Sequence, residues 1–202
     1  NLRVFESNDY SFAKDETLAP IVFDEMADIA REYPIIFPKN GSGLPCALLG
    51  LEPGHNAYID DEGRWLGTYI PAHIRRYPFM LATSGDLEGD LNRFVVVFDP
   101  DAKHFMDPNG HQVFTHDGKP TQHMANRFTL LQQMQKTTPR TIELVKVLDD
   151  SGILVERTVT IKKAGQANQI TGFRTIEESK LNGLPDAAFM ELRRAGALPL
   201  IY

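Results

Sequence analysis

Arg75 and Arg76 stand side by side in a run that also carries Trp65, Tyr69, His73 and Tyr77. Each guanidinium offers a planar fork of N–H donors that fits a carboxylate or a phosphate, and each can stack on an aromatic ring. Tryptophan and tyrosine add broad apolar walls with a polar edge. The mixture suits a peptide, a small anionic ligand or a partner protein, because arginine and aromatic side chains dominate recognition surfaces. The candidate ligand-binding residues are therefore Trp65, Tyr69, His73, Arg75, Arg76 and Tyr77. A packing role competes for the same segment: Tyr69, Ile70, Ile74 and Phe79 would enter the core, the arginines would pair with acidic neighbours, and Trp65 would anchor a loop.

Pro71 suits the first turn of a short helix, which Tyr77-Pro78 must end because a residue before proline is pushed out of the helical region. On that helix Ala72 and Arg76 share one side and His73 and Tyr77 another, while Arg75 and Arg76 diverge by about 100°. The two arginines then cannot both reach one small ligand unaided. One is expected to serve structure and the other to meet the ligand.

An enzymatic alternative would assemble His73, Arg75 and His55 as acid, base or electrostatic groups in a composite site. No local motif accompanies it. Gly41-Ser42-Gly43 lacks the lysine and second glycine of a phosphate-binding loop, and neither Gly-x-Gly-x-x-Gly nor Gly-x-Ser-x-Gly occurs. His104, His111, His116 and His123, with Asp107 and Asp117 among them, match no metal-ligand spacing and are expected to be exposed loop histidines. Asp60-Asp61-Glu62 and Asp99-Pro100-Asp101 read as exposed turns rather than calcium loops. Cys46, the only cysteine, lies among apolar residues and reads as buried, so neither an intrachain disulfide nor a thiol nucleophile is expected. No metal or cofactor is expected.

The elements that must position these residues follow from periodicity. Apolar spacing predicts a helix over 18–32 with Pro20 in its first turn, strands at 35–37 and 46–51, and a strand at 56–59 pairing back across a turn. Arg93-Phe94-Val95-Val96-Val97-Phe98 reads as a central strand, and 112–114 as part of a small hairpin. Helical patterns at 121–136 and 139–150 are joined by Lys136-Thr137-Thr138-Pro139. Residues 154–161 and 168–176 form a hairpin across Ala164-Gly165-Gln166-Ala167, and a last helix begins at Leu184-Pro185-Asp186 and ends at Gly196. Helices and antiparallel pairs in separate runs give an α+β fold: an antiparallel or mixed sheet with helices packed on it, in a single compact domain over 1–202.

With 202 residues, 42% of them hydrophobic, and 24% charged, the chain has the composition of a folded domain rather than a disordered one. A net charge of −6 argues against nucleic acid as a partner. No run approaches the roughly 20 apolar residues of a membrane span, and no signal sequence is visible, so a cytoplasmic location is expected. A first residue other than methionine leaves room for a removed leader, which would permit a periplasmic or surface location. The natural chain is expected to continue a few residues past both ends.

The run from Trp65 to Phe79, with its Tyr-Ile-Pro-Ala and Arg-Arg-Tyr-Pro-Phe core, resembles the bacterial SapC-like family. Tyr33-Pro34-Ile35-Ile36-Phe37, Leu48-Leu49-Gly50-Leu51, Gly172-Phe173 and Leu198-Pro199-Leu200-Ile201-Tyr202 carry the resemblance across nearly the whole chain. The family takes its name from a protein associated with bacterial surface layers, and relatives are described beside outer-membrane receptors and flavin-dependent tryptophan halogenases. The resemblance implies no established catalytic residue. It adds a surface-layer structural component to the readings; a non-catalytic binding or accessory protein is the leading one.

Overall fold

The computed structural model describes residues 2–83, 94–106, 108–163 and 166–201. Among them three antiparallel sheets form from β1 (Arg3–Val4), β2 (Leu18–Pro20), β3 (Ile35–Pro38), β4 (Cys46–Leu48), β5 (Phe79–Thr83), β6 (Phe94–Phe98), β7 (His111–Gln112), β8 (Leu154–Lys163) and β9 (Gln166–Ile176). The largest sheet has the order β2-β4-β3-β9-β8, while β5 pairs with β6 and β1 with β7. The helices are α1 (Met26–Ile29), α2 (Ala72–Arg75), α3 (Gln122–Asp150), α4 (Glu178–Asn182) and α5 (Asp186–Ala195). The fold is α+β in one compact domain. No helix among the described residues is long and apolar enough to cross a membrane.

Several elements differ from the periodicity reading. Residues 18–20 are not helical, because Leu18, Ala19 and Pro20 pair with Leu48, Ala47 and Cys46 at the edge of the large sheet. An edge strand tolerates a proline that has no N–H to give. A tight turn at Phe23–Glu25 then leads into the single helical turn of α1. Residues 56–59 form no strand; Ile59 makes only an isolated bridge to Trp65. The strand at Phe94–Phe98 is not central, since it belongs to a two-stranded sheet with Phe79 opposite Phe98 and Leu81 opposite Val96. His111–Gln112 pairs with Arg3–Val4, and just beyond it Phe114 bridges back to Pro120 in a small local hairpin, with the Thr121 amide donating to the Val113 carbonyl at 3.1 Å. The β8–β9 hairpin is present, with Lys163 opposite Gln166; residues 164 and 165 of its turn, like Arg93, lie outside the described residues.

The largest correction is α3, one helix of 29 residues with Pro139 inside it instead of two helices with a joint. Proline removes a backbone donor and normally kinks or ends a helix. Here the flanking turns are tied by Thr138 Oγ1 donating to the Met134 carbonyl at 2.7 Å and Thr141 Oγ1 donating to that of Thr137 at 2.9 Å. Tertiary packing fixes both halves. Leu144 and Leu148 enter the main core with Ile21, Ile29, Leu49 and Ile74, whereas Met124 and Leu131 belong to a second cluster with Val4, Phe79 and Val113. The segment from α2 to β5 bridges the same two cores, Ile74 to one and Phe79 to the other, which fixes the backbone between them.

Candidate binding site around α2

Glu25 is an acidic residue in an apolar run and is only 4% exposed. Its carboxylate accepts hydrogen bonds from the Val22 amide at 3.2 Å, the Ala72 amide at 2.8 Å and the Tyr69 hydroxyl at 3.0 Å. Burial raises its pKa above the usual carboxylate range, against the pull of those bonds and of Arg75. Tyr69 in turn accepts from Arg75 Nη2 at 2.8 Å, and Arg75 Nε donates to the Ile70 carbonyl at 2.8 Å. The Arg75 guanidinium lies 5.1 Å from the centre of the Tyr69 ring. Arg75 is thereby committed to holding the turn before α2.

Glu32 clamps the preceding residues, accepting from the Thr68 amide at 2.8 Å and the Tyr69 amide at 3.3 Å. Beside it the Tyr33 hydroxyl accepts from Trp65 Nε1 at 2.9 Å and donates to the Tyr69 carbonyl. Burial, foremost, pushes the Tyr33 hydroxyl up to about 12. Trp65 also stacks on Tyr58, with ring centres 6.2 Å apart, and meets Tyr10 edge-on at 5.8 Å. Gly67 is what allows this close approach: a Cβ there would lie 2.5 Å from the Tyr33 hydroxyl, 2.7 Å from a Glu32 carboxylate oxygen and 3.0 Å from Trp65 Nε1. Gly67→Ala should therefore destabilise the protein by about 1–3 kcal/mol, the usual penalty of overpacking. Urea denaturation would show it, and an unchanged midpoint would contradict the tight clamp.

With Arg75 fixed, α2 turns His73 and Arg76 to the other side. With Ser42, Gln135 and Thr138 they are the polar part of a cavity of about 420 Å³ whose apolar walls include Val22, Leu44, Leu81, Phe94, Leu131 and Met134. The Pro139 ring also faces it, so the proline inside α3 serves as wall. Arg76 Nε donates to the His73 carbonyl at 3.3 Å, and no carboxylate of the described residues comes within 4 Å of the Arg76 guanidinium. Burial lowers the Arg76 pKa, with the Glu16 charge opposing. His73 Nε2 lies 3.7 Å from a Glu16 carboxylate oxygen. Burial first, and then Arg76, pull the His73 imidazole down to about 4. Glu16 is shifted the other way, upward, by its own burial, with Arg76 resisting.

This imidazole gives a signed pH effect. An unfolded His73 takes a proton near its ordinary value of 6.5, whereas the folded one does so only near 4. Its share of stability is intact above pH 6.5 and is lost as the pH falls from 6.5 to 4. The loss should reach up to about 3 kcal/mol at 1.36 kcal/mol per unit. Urea midpoints measured across that range should fall more steeply for the wild type than for His73→Gln, and parallel curves would contradict the assignment.

The six residues singled out by type thus do not share one surface. His73 and Arg76 meet in the apolar cavity. Arg75 and Tyr77 line a second cleft on the opposite side of α2, and Tyr69 is held between Glu25 and Arg75. The Tyr77 hydroxyl, which donates to Asp99 at 2.7 Å, is pushed up to about 12 by burial and by that carboxylate. His55 is exposed on the Glu52–His55 turn and lines neither space. Sequence reading missed Glu16, Glu25 and Glu32 and the apolar wall from α3. The signal for Glu25 was a charge between Val22-Phe23 and Met26, and for α3 the apolar spacing continued through Pro139.

His104 is buried rather than an exposed loop residue, and His123 lies on α3 with its ring stacked on His111 at 3.8 Å. Asp107 lies outside the described residues. Among the described residues, no three histidine, cysteine or carboxylate side chains come together in a way that could hold a metal ion. The Cys46 thiol is buried, and burial pushes it up to about 11, which suits a packed thiol rather than a nucleophile.

No match was found among curated proteins or among solved structures. The sequence profile of the SapC family matches residues 1–202, the full length given, and the chain belongs to the SapC family.

Proposed function

We propose that this protein is a non-catalytic binding protein for a small amphipathic acid, one with an apolar body and a single carboxylate. The observation that carries the reading is the half-buried Arg76 guanidinium, without a carboxylate within 4 Å among the described residues, in the wall of a mainly apolar cavity whose other polar side chains, Ser42, His73, Gln135 and Thr138, carry no negative charge. A carboxylate there would gain a charge-assisted fork of hydrogen bonds in a partly desolvated setting. Neutral His73 offers one further N–H or lone pair without competing for the charge. The cavity lies within the usual size range of small-molecule sites, with the apolar lining and few convergent polar groups typical of them. A cytoplasmic location goes with this proposal.

Native mass spectrometry of freshly purified protein tests the reading. A bound small acid that is released on denaturation, and absent from Arg76→Gln, is the expected result. A wild type that carries no adduct and gains none on incubation with decanoate would overturn it.

A further inference from the structure

We propose that the cleft on the other side of α2 is a second, separate site, which holds a compact oxyanion with more than one negative charge between Arg75 and Arg127. The cleft has a volume of about 320 Å³ and is lined by Glu6, Tyr10, Arg75, Tyr77, His104 and Arg127 among others. It shares no lining residue with the apolar cavity. Both guanidinium groups are already oriented. Arg75 is held by the Ile70 carbonyl and the Tyr69 hydroxyl, and Arg127 Nη1 donates to the Tyr77 carbonyl at 3.2 Å.

Neither arginine has a carboxylate within 4 Å among the described residues, although the chain carries 27 acidic residues against 21 basic ones. Arg31, Arg64, Arg140, Arg157 and Arg174 have such a partner, while Arg3, Arg76, Arg193 and Arg194 likewise have none among the described residues. Arg75 and Arg127 line the same cleft as Tyr10, and both oppose the rise that burial imposes on its hydroxyl. Arg127 is itself disfavoured as a cation by burial, with only Glu6 and Tyr10 supporting it, so an anion here would relieve a standing electrostatic penalty.

His104 supplies a further observation. It is only 6% exposed, yet its Nδ1 atom is buried without a hydrogen-bond partner among the described residues. Burial, and then Arg127, lower its pKa, with Asp9 opposing. It packs edge-on against Tyr77 at 5.4 Å and Phe12 at 6.0 Å, which fixes the ring in the wall of the cleft. The ring lines both this cleft and the neighbouring one that Asp9 and Lys103 also line. Glu6 opposes an anion, but it is 66% exposed and directed to His123 at 3.5 Å. Two fixed cations against one exposed carboxylate favour a dianion over a lone carboxylate. A phosphate group and a short dicarboxylate share that chemistry.

Titration of the full chain with inorganic phosphate and, separately, with succinate, at ionic strength held constant by sodium chloride, tests the site. The Nε–Hε resonances of Arg75 and Arg127 in the wild-type protein are the readout, so no variant need fold. Saturable shifts of both resonances with either anion are expected; phosphate alone points to a phosphate ester as the natural ligand, succinate alone to a dicarboxylic acid. Arg127→Lys should weaken that binding at least tenfold, since it keeps the charge but loses the fork, while Arg76→Gln should leave it unchanged. Neither anion shifting these resonances, or binding that Arg127→Lys leaves intact, would overturn the site. A failure here leaves decanoate binding in the apolar cavity untouched, so the two proposals stand or fall apart.

Discussion

Glu25→Ala is expected to destabilise the protein by about 3–5 kcal/mol, the range found when a buried, hydrogen-bonded charge network loses a member. The loss does not come from a favourable charge, because burial makes the ionised carboxyl harder to keep than in water. It comes from what is left behind. The Val22 and Ala72 amides and the Tyr69 hydroxyl all donate to this one side chain, and alanine accepts from none of them. Glu25→Gln, which keeps one acceptor oxygen but turns an NH₂ group toward donors, should lose less than Glu25→Ala. Urea denaturation gives the energies, and amide hydrogen exchange at Val22 and Ala72 should accelerate in both variants. Unchanged exchange at Ala72 in Glu25→Ala would show that this carboxylate does not hold α2 in place.

Arg76→Gln is expected to weaken decanoate binding by ten- to a hundredfold, with little loss of stability. A hydrogen bond to a charged group contributes about 1.5–3 kcal/mol, and 1.4 kcal/mol is a factor of ten in affinity. Among the described residues, the Arg76 side chain makes a single hydrogen bond, to the His73 carbonyl, so its removal should cost only about 1 kcal/mol. Arg75→Gln is the informative contrast. It breaks the bonds to Ile70 and Tyr69 and should lower the urea midpoint, while decanoate affinity changes by less than about threefold, an effect under 1 kcal/mol. Isothermal titration on the two variants separates the roles of these adjacent arginines. Equal loss of affinity in both would mean that the arginines act as one site, against the geometry of α2.

The divergence of Arg75 and Arg76 was legible in the sequence, because Pro71 and Tyr77-Pro78 bracket one turn of helix and helical phase does the rest. The β8–β9 hairpin and α5 were legible for similar local reasons, Gly196 closing α5 with a left-handed φ of 77°. What escaped was set by distant partners. Residues 18–20 have helix-like apolar spacing, yet pairing with 46–48 holds them extended. Pro139 reads as a helix start, yet two separate cores grip the turns on either side of it. The roles of Glu16, Glu25 and Glu32 arise from contacts 36 to 57 residues away, which no spacing rule reaches. The cavity has the same origin, since its walls come from β5, β6, α2 and α3 together. Residue type therefore located the segment that matters, and tertiary packing decided which way each side chain faces.

The most direct measurement of the central claim is a methyl-resolved NMR titration of the wild-type protein with decanoate, with decan-1-ol as the neutral comparison. The account predicts saturable shifts at the Met134, Leu131, Leu81 and Leu44 methyl groups, together with the Arg76 Nε–Hε resonance, and clearly weaker binding of the alcohol. Shifts confined to methyl groups outside this cavity, or equal affinity for acid and alcohol, would contradict it.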